Sequence, residues 1–360
     1  MSRVQRVDVR VLDVPQPRPI SSSSATYASL GVVVVEVETA DGVTGQGWSH
    51  VIGGGAESIA SFVRTELAPL VTGSDPDHVR DTWQRMYVHA LSRGRKGVAM
   101  YAISAVDIAL WDARARSMDV PLHRLLGTAQ PSVPVYGDGC WLSYSHDELV
   151  AAAQEYDARS FWGVKVKVGA DLADAVERVG LVRDALGPSG RVMVDANQRY
   201  GLLEATRLAP ALADLDVTWF EEPLLADAPR DYAALRSRTT VPIACGENEY
   251  SRYGFRELLE LGAVDILQPD VHRVGGVTEF MRIAALAEAW NVPVAPHTSW
   301  EVHSQLLLCV VPALAVEYFD WYPEGFFDHS PAIENGRVGP SAAAGLGTHI
   351  RRETLRRYAA

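Results

Sequence analysis

The sequence predicts an α/β protein in which a smaller α+β region precedes a closed parallel barrel. Three observations predict it. After residue 132, short apolar runs alternate with stretches long enough for crossover helices, the grammar of a parallel sheet buried on both faces. Eight such runs fall within about two hundred residues, which favours closure into a barrel over an open sheet. Several of the runs also end in a charged residue, where a barrel gathers its strand ends at one mouth.

Taken in order, residues 4–11 and 31–38 are rich in β-branched side chains and read as strands. Asp41-Gly42 is a turn signal, and residues 45–48 read as the returning strand. Residues 56–70, 78–91 and 98–116 have helical spacing, and Pro121 with Leu125-Leu126-Gly127 closes this region. The eight barrel runs are 133–136, 163–168, 191–194, 217–220, 241–244, 264–267, 292–295 and 315–319. Stretches such as 147–156, 172–186 and 277–290 supply crossover helices. The expected organisation is an N-terminal α+β domain over 1–130, a barrel over 131–322, and a segment over 323–360 that packs back on the N-terminal domain.

Composition narrows the function. The chain has 360 residues, an apolar fraction of 48% and a formal net charge of -12, which argues against a nucleic-acid footprint. Three widely spaced cysteines, Cys140, Cys245 and Cys309, make no disulfide framework, so a reducing compartment, the cytoplasm, is expected. No apolar leader is read at the N-terminus and no run is long enough for a membrane span.

The chemistry lies at the strand ends. Strands three, four and five of the barrel end in Asp195-Ala196-Asn197, Glu221-Glu222-Pro223 and Glu247-Asn248. Any one of these acids could be a helix cap or a solvated loop residue. Three on consecutive strand ends would repel one another at the mouth, and a hard divalent cation with oxygen ligands, Mg²⁺ or Mn²⁺, resolves that repulsion. Strand two reads Gly163-Val164-Lys165-Val166-Lys167-Val168. Its period of two sends the valines under the helices and both lysines into the barrel. Two neighbouring ammonium groups are expected to lower each other's pKa, which makes a lysine a usable base. Asp270 and His297 end strands six and seven, where the carboxylate would orient the ring and raise its basicity. Glu317 lies on strand eight as a hydrogen-bonding group opposite the metal.

This pattern resembles the mandelate racemase subgroup of the enolase superfamily. The likeness runs through Ala102-Ile103-Ser104-Ala105-Val106-Asp107-Ile108-Ala109-Leu110-Trp111-Asp112, Lys-x-Lys, Asp-x-Asn, Glu-Glu-Pro, Gly-Glu-Asn, Pro-Asp and the late His. The resemblance implies a modified TIM barrel, (β/α)7β, with a capping domain built from the N-terminus and the C-terminal segment. It implies Mg²⁺ on Asp195, Glu221 and Glu247. It implies Lys167 and the His297–Asp270 pair as acid/base groups on opposite faces of the α-carbon of a small-molecule carboxylate. Lys165 would hold the carboxylate and depress the pKa of Lys167, Glu317 would bind the developing enediolate oxygen, and Asn197 would reach a 2-hydroxyl. The family usually assembles into dimers or octamers.

These residues serve a dehydratase and a racemase or epimerase of a 2-hydroxy acid equally. The stretch 92–101, with Arg93, Arg95 and Lys96, resembles the cap of acid-sugar dehydratases and would meet a polar or anionic distal end of the substrate, unless it is a solvated loop. Residues 21–27 and 50–55 fall where the family keeps specificity loops, with Tyr27 and His50 as candidate hydroxyl contacts and Trp300 as a candidate pocket edge. Gly53-Gly54-Gly55 lacks the Lys-Ser/Thr of a phosphate loop.

Overall fold

The computed structural model describes residues 3–360; Met1 and Ser2, at the start of the segment read for a leader, lie outside the described residues. The N-terminal sheet is antiparallel, with strands β1 (Val4–Ser21), β2 (Thr26–Thr39) and β3 (Thr44–Ile52) in sequence order. β1 runs well past the expected strand, because residues around Pro15, Pro17 and Pro19 continue along an edge and the ladder shifts register between Pro15 and Ile20. Residues 56–70 form not one helix but α1 (Ala56–Phe62), a π turn (Val63–Leu67) and α2 (Ala68–Val71). Pro69 has no N–H for the preceding turn, and the wider turn absorbs the loss. Then come α3 (Val79–Ala90), α4 (Val98–Ser117) and α5 (Leu122–Leu126).

α4 is the joint of the molecule and is buried on nearly every side. Gly45 and Gly47 let β3 lie directly on it, since a Cβ at either would run into the backbone of Ala109 or Ala105. Its two buried aspartates reach in different directions. Asp107 accepts from the backbone N–H (2.8 Å) and hydroxyl (2.7 Å) of Thr278 in the barrel. Asp112 accepts from the N–H groups of Gln46 (2.9 Å) and Leu346 (2.8 Å), and lies 2.9 Å from His349 Nε2. One helix thereby ties the N-terminal sheet to the barrel and to the C-terminal segment.

The parallel strands are β4 (Val133–Cys140), β5 (Gly163–Lys167), β6 (Val192–Asp195), β7 (Val217–Glu221), β8 (Ile243–Cys245) and β9 (Ile266–Leu267). Between them run α6 (His146–Ala158), α7 (Leu172–Leu186), α8 (Leu202–Asp214), α9 (Pro229–Arg236) and α10 (Arg252–Glu260). After β9 come α11 (Val271–Val274), α12 (Val277–Trp290) and α13 (Trp300–Leu307). The seventh expected strand shrinks to a bridge at Val294, paired with Leu267 on one side and Ala313 on the other. Pro293 and Pro296 flank it and supply no ladder donors. β10 (Val316–Tyr318) pairs in parallel with β4 and closes the barrel. Val164 and Val166 face the helices, while Tyr136, Met193, Trp219, Ala244, Ile266, Ala295 and Ala315 fill the interior as a separate apolar plug.

The C-terminal segment divides its contacts between the barrel and the N-terminal sheet. The hairpin β11 (Ile333–Glu334) and β12 (Arg337–Val338) adds antiparallel to β4, covering an edge that the barrel's first strand would otherwise expose. The rest returns to the N-terminal sheet: Ile350 N–H donates to Gln46 Oε1 (2.6 Å), and after α14 (Arg352–Arg357) Ala359 bridges Leu12. Among the described residues, no helix is long and apolar enough to cross a membrane.

Candidate active site

Register places the polar residues before any side chain is considered. Lys167 on β5 pairs with Asp195 on β6, and Asp195 pairs with Glu221 on β7. Glu247 follows two residues after β8. One carboxylate oxygen from each of Asp195, Glu221 and Glu247 lies within 4.8 Å of the others, and all three residues are buried. Glu247 Oε2 is buried and accepts no hydrogen bond. Three buried carboxylates at this spacing, one with an orphan oxygen, fit a hard divalent cation with oxygen ligands. The backbone just past these strand ends is strained: Asn197, Gln198, Glu222, Thr298 and Ser299 all have φ between 37° and 63°.

On one side of the carboxylate row lie the lysines. Lys167 Nζ donates to Asp195 Oδ2 at 2.5 Å and lies 3.0 Å from Asp138. Lys165 Nζ donates to Glu221 Oε1 at 2.6 Å and pairs with Glu317. The expected mutual lowering of the two lysine pKa values is corrected here. Burial works against both charges and Lys165 does push Lys167 down, yet the surrounding carboxylates prevail. Glu221, Glu317 and Asp138 hold Lys165 well above its ordinary value, and Asp138 and Asp195 do the same for Lys167. Burial pushes Glu221 up to about 7 against the pull of Lys165, and holds Glu317 well above the carboxylate range. Glu317 also accepts the Thr298 N–H at 2.5 Å.

On the other side, His297 Nδ1 sits 3.0 Å from Asp270 Oδ2 and Nε2 sits 3.3 Å from Glu247 Oε2. The Asp270 contact assigns the proton to Nδ1 and leaves the Nε2 lone pair beside the carboxylate row. The expected rise in ring basicity is also corrected: burial, then Arg273, Lys165 and Lys167, push His297 well below the usual histidine value. Burial raises Asp270 to about 6 although Arg273 opposes it.

Above the row opens a cavity of about 320 Å³, small for a ligand pocket. Lys167, Glu247, His297 and Asn197 line it, as do Tyr27 and His50. Lys165, Asp195, Glu221, Asp270 and Glu317 lie in the buried layer beneath. Residues 21–27 are not an open loop: they are the tip of the β1–β2 hairpin, laid over the barrel mouth. Ser23 Oγ donates to the Ala196 carbonyl (2.5 Å), and Leu142 N–H donates to the Ser21 carbonyl (3.0 Å).

Two expected contacts lie elsewhere. Arg93 is exposed, 3.2 Å from Glu66, and donates to the His89 carbonyl; it does not line the cavity. Trp300 packs against Tyr318 at 5.1 Å, in a separate depression beside Pro323. Both sit on elements that turn away from the mouth, which residue type alone cannot reveal. Two groups escaped the sequence reading. Asp138 lies two residues beyond where the first barrel strand was ended. Arg273, one helical turn after Asp270, bridges Asp270 (3.3 Å) and Glu247 (3.2 Å). Its spacing from Asp270 was the available signal. Glu222, paired with Asn248 at 2.8 and 3.0 Å, and the aromatic wall of Trp141, Phe319 and Trp321 also line the cavity.

Comparison with known proteins agrees with this architecture. Residues 6–127 match the mandelate racemase/muconate lactonizing enzyme N-terminal domain, and residues 148–354 match the enolase C-terminal domain-like family. The chain is 33% identical to 3,6-anhydro-alpha-L-galactonate cycloisomerase of Streptomyces coelicolor, over 99% of each chain. It is 33% identical to arabinonate dehydratase of Saccharolobus solfataricus, over 91% of this chain and 90% of that one. It superposes on the crystal structure of L-talarate/galactarate dehydratase from Salmonella typhimurium, liganded with Mg and L-lyxarohydroxamate, with a TM-score of 0.95 and 30% identity. That match covers 99% of this chain and 93% of the other. The strand-end carboxylates, the lysine and histidine that flank them and both domain matches converge: the chain belongs to the mandelate racemase/muconate lactonizing enzyme family of the enolase superfamily.

Proposed function

We propose that this protein removes the α-proton of an acid-sugar carboxylate and eliminates the β-hydroxyl as water, converting an aldonate or aldarate to a 2-keto-3-deoxy acid. The observation that carries the reading is the placement of Lys167 and His297 at opposite ends of one carboxylate row in one cavity. Asp195, Glu221 and Glu247 would hold Mg²⁺, or Mn²⁺ in its place. When bound there, the ion supplies positive charge that stabilises the second negative charge of an enediolate.

The protein's own groups do the rest. Lys165, buried against Glu221 and Glu317, places a cation where the substrate carboxylate gains charge. Burial raises the Glu317 carboxyl well above the usual carboxylate range, which favours the protonated form that would donate to the same carboxylate. Asn197 lines the cavity beside Asp195 and would meet the 2-hydroxyl. One of Lys167 and His297 takes the proton from C2. The other gives a proton to the C3 hydroxyl as the C3–O bond breaks, so water leaves and the C2–C3 double bond forms. The resulting enol takes a proton at C3 and becomes the 2-keto acid. Asp270 holds His297 in the tautomer whose Nε2 can do this work.

A second reading has one specific support, the cycloisomerase relative that spans 99% of both chains. If the group on C3 is a ring ether oxygen rather than a hydroxyl, the same elimination opens a ring and releases no water.

The test is incubation of the Mg²⁺-loaded enzyme with a stereochemical panel of acid sugars in D₂O, following α-deuteration and 2-keto product together. Keto product is expected. Exchange with inversion at C2 and no keto product would sink the elimination reading in favour of a racemase or epimerase.

A further inference from the structure

The three cations expected to face the distal end of the substrate do not reach the cavity. Arg93 pairs with Glu66, Lys96 lies 3.4 Å from Glu249, and Arg95 is exposed and outside the lining. Among the described residues, the only lysine or arginine side chains lining the cavity are Lys167 and Arg273. Both are engaged at the floor: Lys167 with Asp195 and Asp138, Arg273 between Glu247 and Asp270. The remaining wall of the cavity includes Tyr27, His50, Tyr101, Trp141, Phe319 and Trp321, none of them a lysine or arginine.

His50 is the one basic side chain in that wall, and it cannot stand in for a cation. It is buried, and burial with Arg273 and His303 nearby lowers its pKa to about 3. Its Nδ1 lies 3.2 Å from His272 Nδ1 and 3.3 Å from Tyr322 Oη, while Nε2 is buried without a partner. A neutral imidazole brings no positive charge to the cavity lining. A second carboxylate here would lose its water and meet no counter-charge, with Glu222 on the same cavity lining.

We infer that the cavity selects monocarboxylate acid sugars, whose distal carbons carry hydroxyl or ring-ether oxygens, over dicarboxylates of the same configuration. This rests on the reading that the substrate carboxylate sits at the carboxylate row. The neutral distal wall makes the two ends of the site chemically unlike, so a substrate with two like ends fits it poorly.

The experiment compares each hexonate and pentonate of a full stereochemical panel with its matching aldarate, using the whole Mg²⁺-loaded protein. Two readouts are taken: kcat/KM for keto product and ligand-induced Tm shift. We expect the best monoacid to exceed its matching diacid by at least about 100-fold in kcat/KM. A diacid turned over as well as or better than its monoacid overturns the inference and leaves the elimination reading standing. Monoacids that shift Tm without keto product, beside diacids that do neither, uphold the selectivity while the elimination reading fails. No Tm shift and no turnover with either class overturns both. Ile52→Arg, at the half-buried end of β3 on the cavity lining, is expected to move the monoacid-to-diacid ratio toward the diacid by about tenfold. An unchanged ratio in the folded variant counts against the inference.

Discussion

The floor and the wall of the cavity are built on opposite plans. The floor comes from strand ends, where the register fixes each residue against its neighbour, and nearly every charge has an opposite charge within 4 Å. The wall comes from the β1–β2 hairpin, the end of β3, a tyrosine of α4 and the strand-end aromatics, and it carries almost no charge. The floor therefore has a fixed chemistry that tolerates little change. The wall has shape and hydrogen-bonding groups, and change there should alter which substrate is accepted before it alters what is done to it.

The largest effect should come from Lys167 and His297, the proposed acid/base pair. Lys167→Ala and His297→Asn are each expected to cut turnover by about 10³-fold or more, with far-UV circular dichroism and Tm near wild type. Near-full turnover in either variant would break the assignment of the floor.

Metal removal should rank next. Chelation is expected to abolish turnover, and added Mg²⁺ or Mn²⁺ to restore it. Glu247→Gln should weaken Mg²⁺ binding by at least about tenfold, measured by calorimetric titration. Unchanged affinity would remove Glu247 from the ligand set.

Arg273 tests whether the floor depends on charge balance. Arg273→Met leaves Glu247 and Asp270 without their shared cation and should cost about 3–5 kcal/mol in urea unfolding. Mg²⁺ should recover part of that loss by binding only the folded state. A loss under about 1 kcal/mol would mean that the bridge matters little.

The wall should respond differently. Ser23→Ala removes the hydroxyl that ties the hairpin tip to the Ala196 carbonyl. It should raise KM several-fold and leave kcat nearly unchanged. A drop in kcat with constant KM would show that the hairpin acts on the chemistry rather than on binding.

The smallest effect lies at the joint. His349 beside Asp112 has its pKa raised: burial works against the charge, and the Asp112 contact outweighs it. The stabilisation is thus present below the unfolded-state value of about 6.5 and lost as pH rises through the folded value. His349→Gln should remove a pH-dependent contribution of about 1 kcal/mol, seen as a flatter stability profile from pH 6 to 8.

The floor was legible in the sequence because strands are short and periodic. The alternation in Gly163-Val164-Lys165-Val166-Lys167 places both lysines inside, and acids at consecutive strand ends meet at one mouth. Asp138 lies outside the expected strand because β4 runs four residues further, to Cys140, and strand ends are the part hardest to read from pattern. The signs of the lysine and histidine shifts depend on burial and on groups that only the fold brings together. Burial, then Arg273 from α11, lowers His297, while Glu221, Glu317, Asp138 and Asp195 from neighbouring strands hold the lysines up. The wall was poorly legible because loop direction has no period. Nothing in the residue types says that Arg93 turns toward Glu66 while His50 turns into the cavity.

By itself, then, the sequence determined the barrel, its seven crossovers and the row of carboxylates, because periodicity and strand register are local and repeat along the chain. Only the tertiary structure decided which residues close over that row and how its charges settle. Those outcomes depend on contacts between segments far apart in sequence and on burial, which works against every charge in the site while several neighbouring charges oppose or add to it.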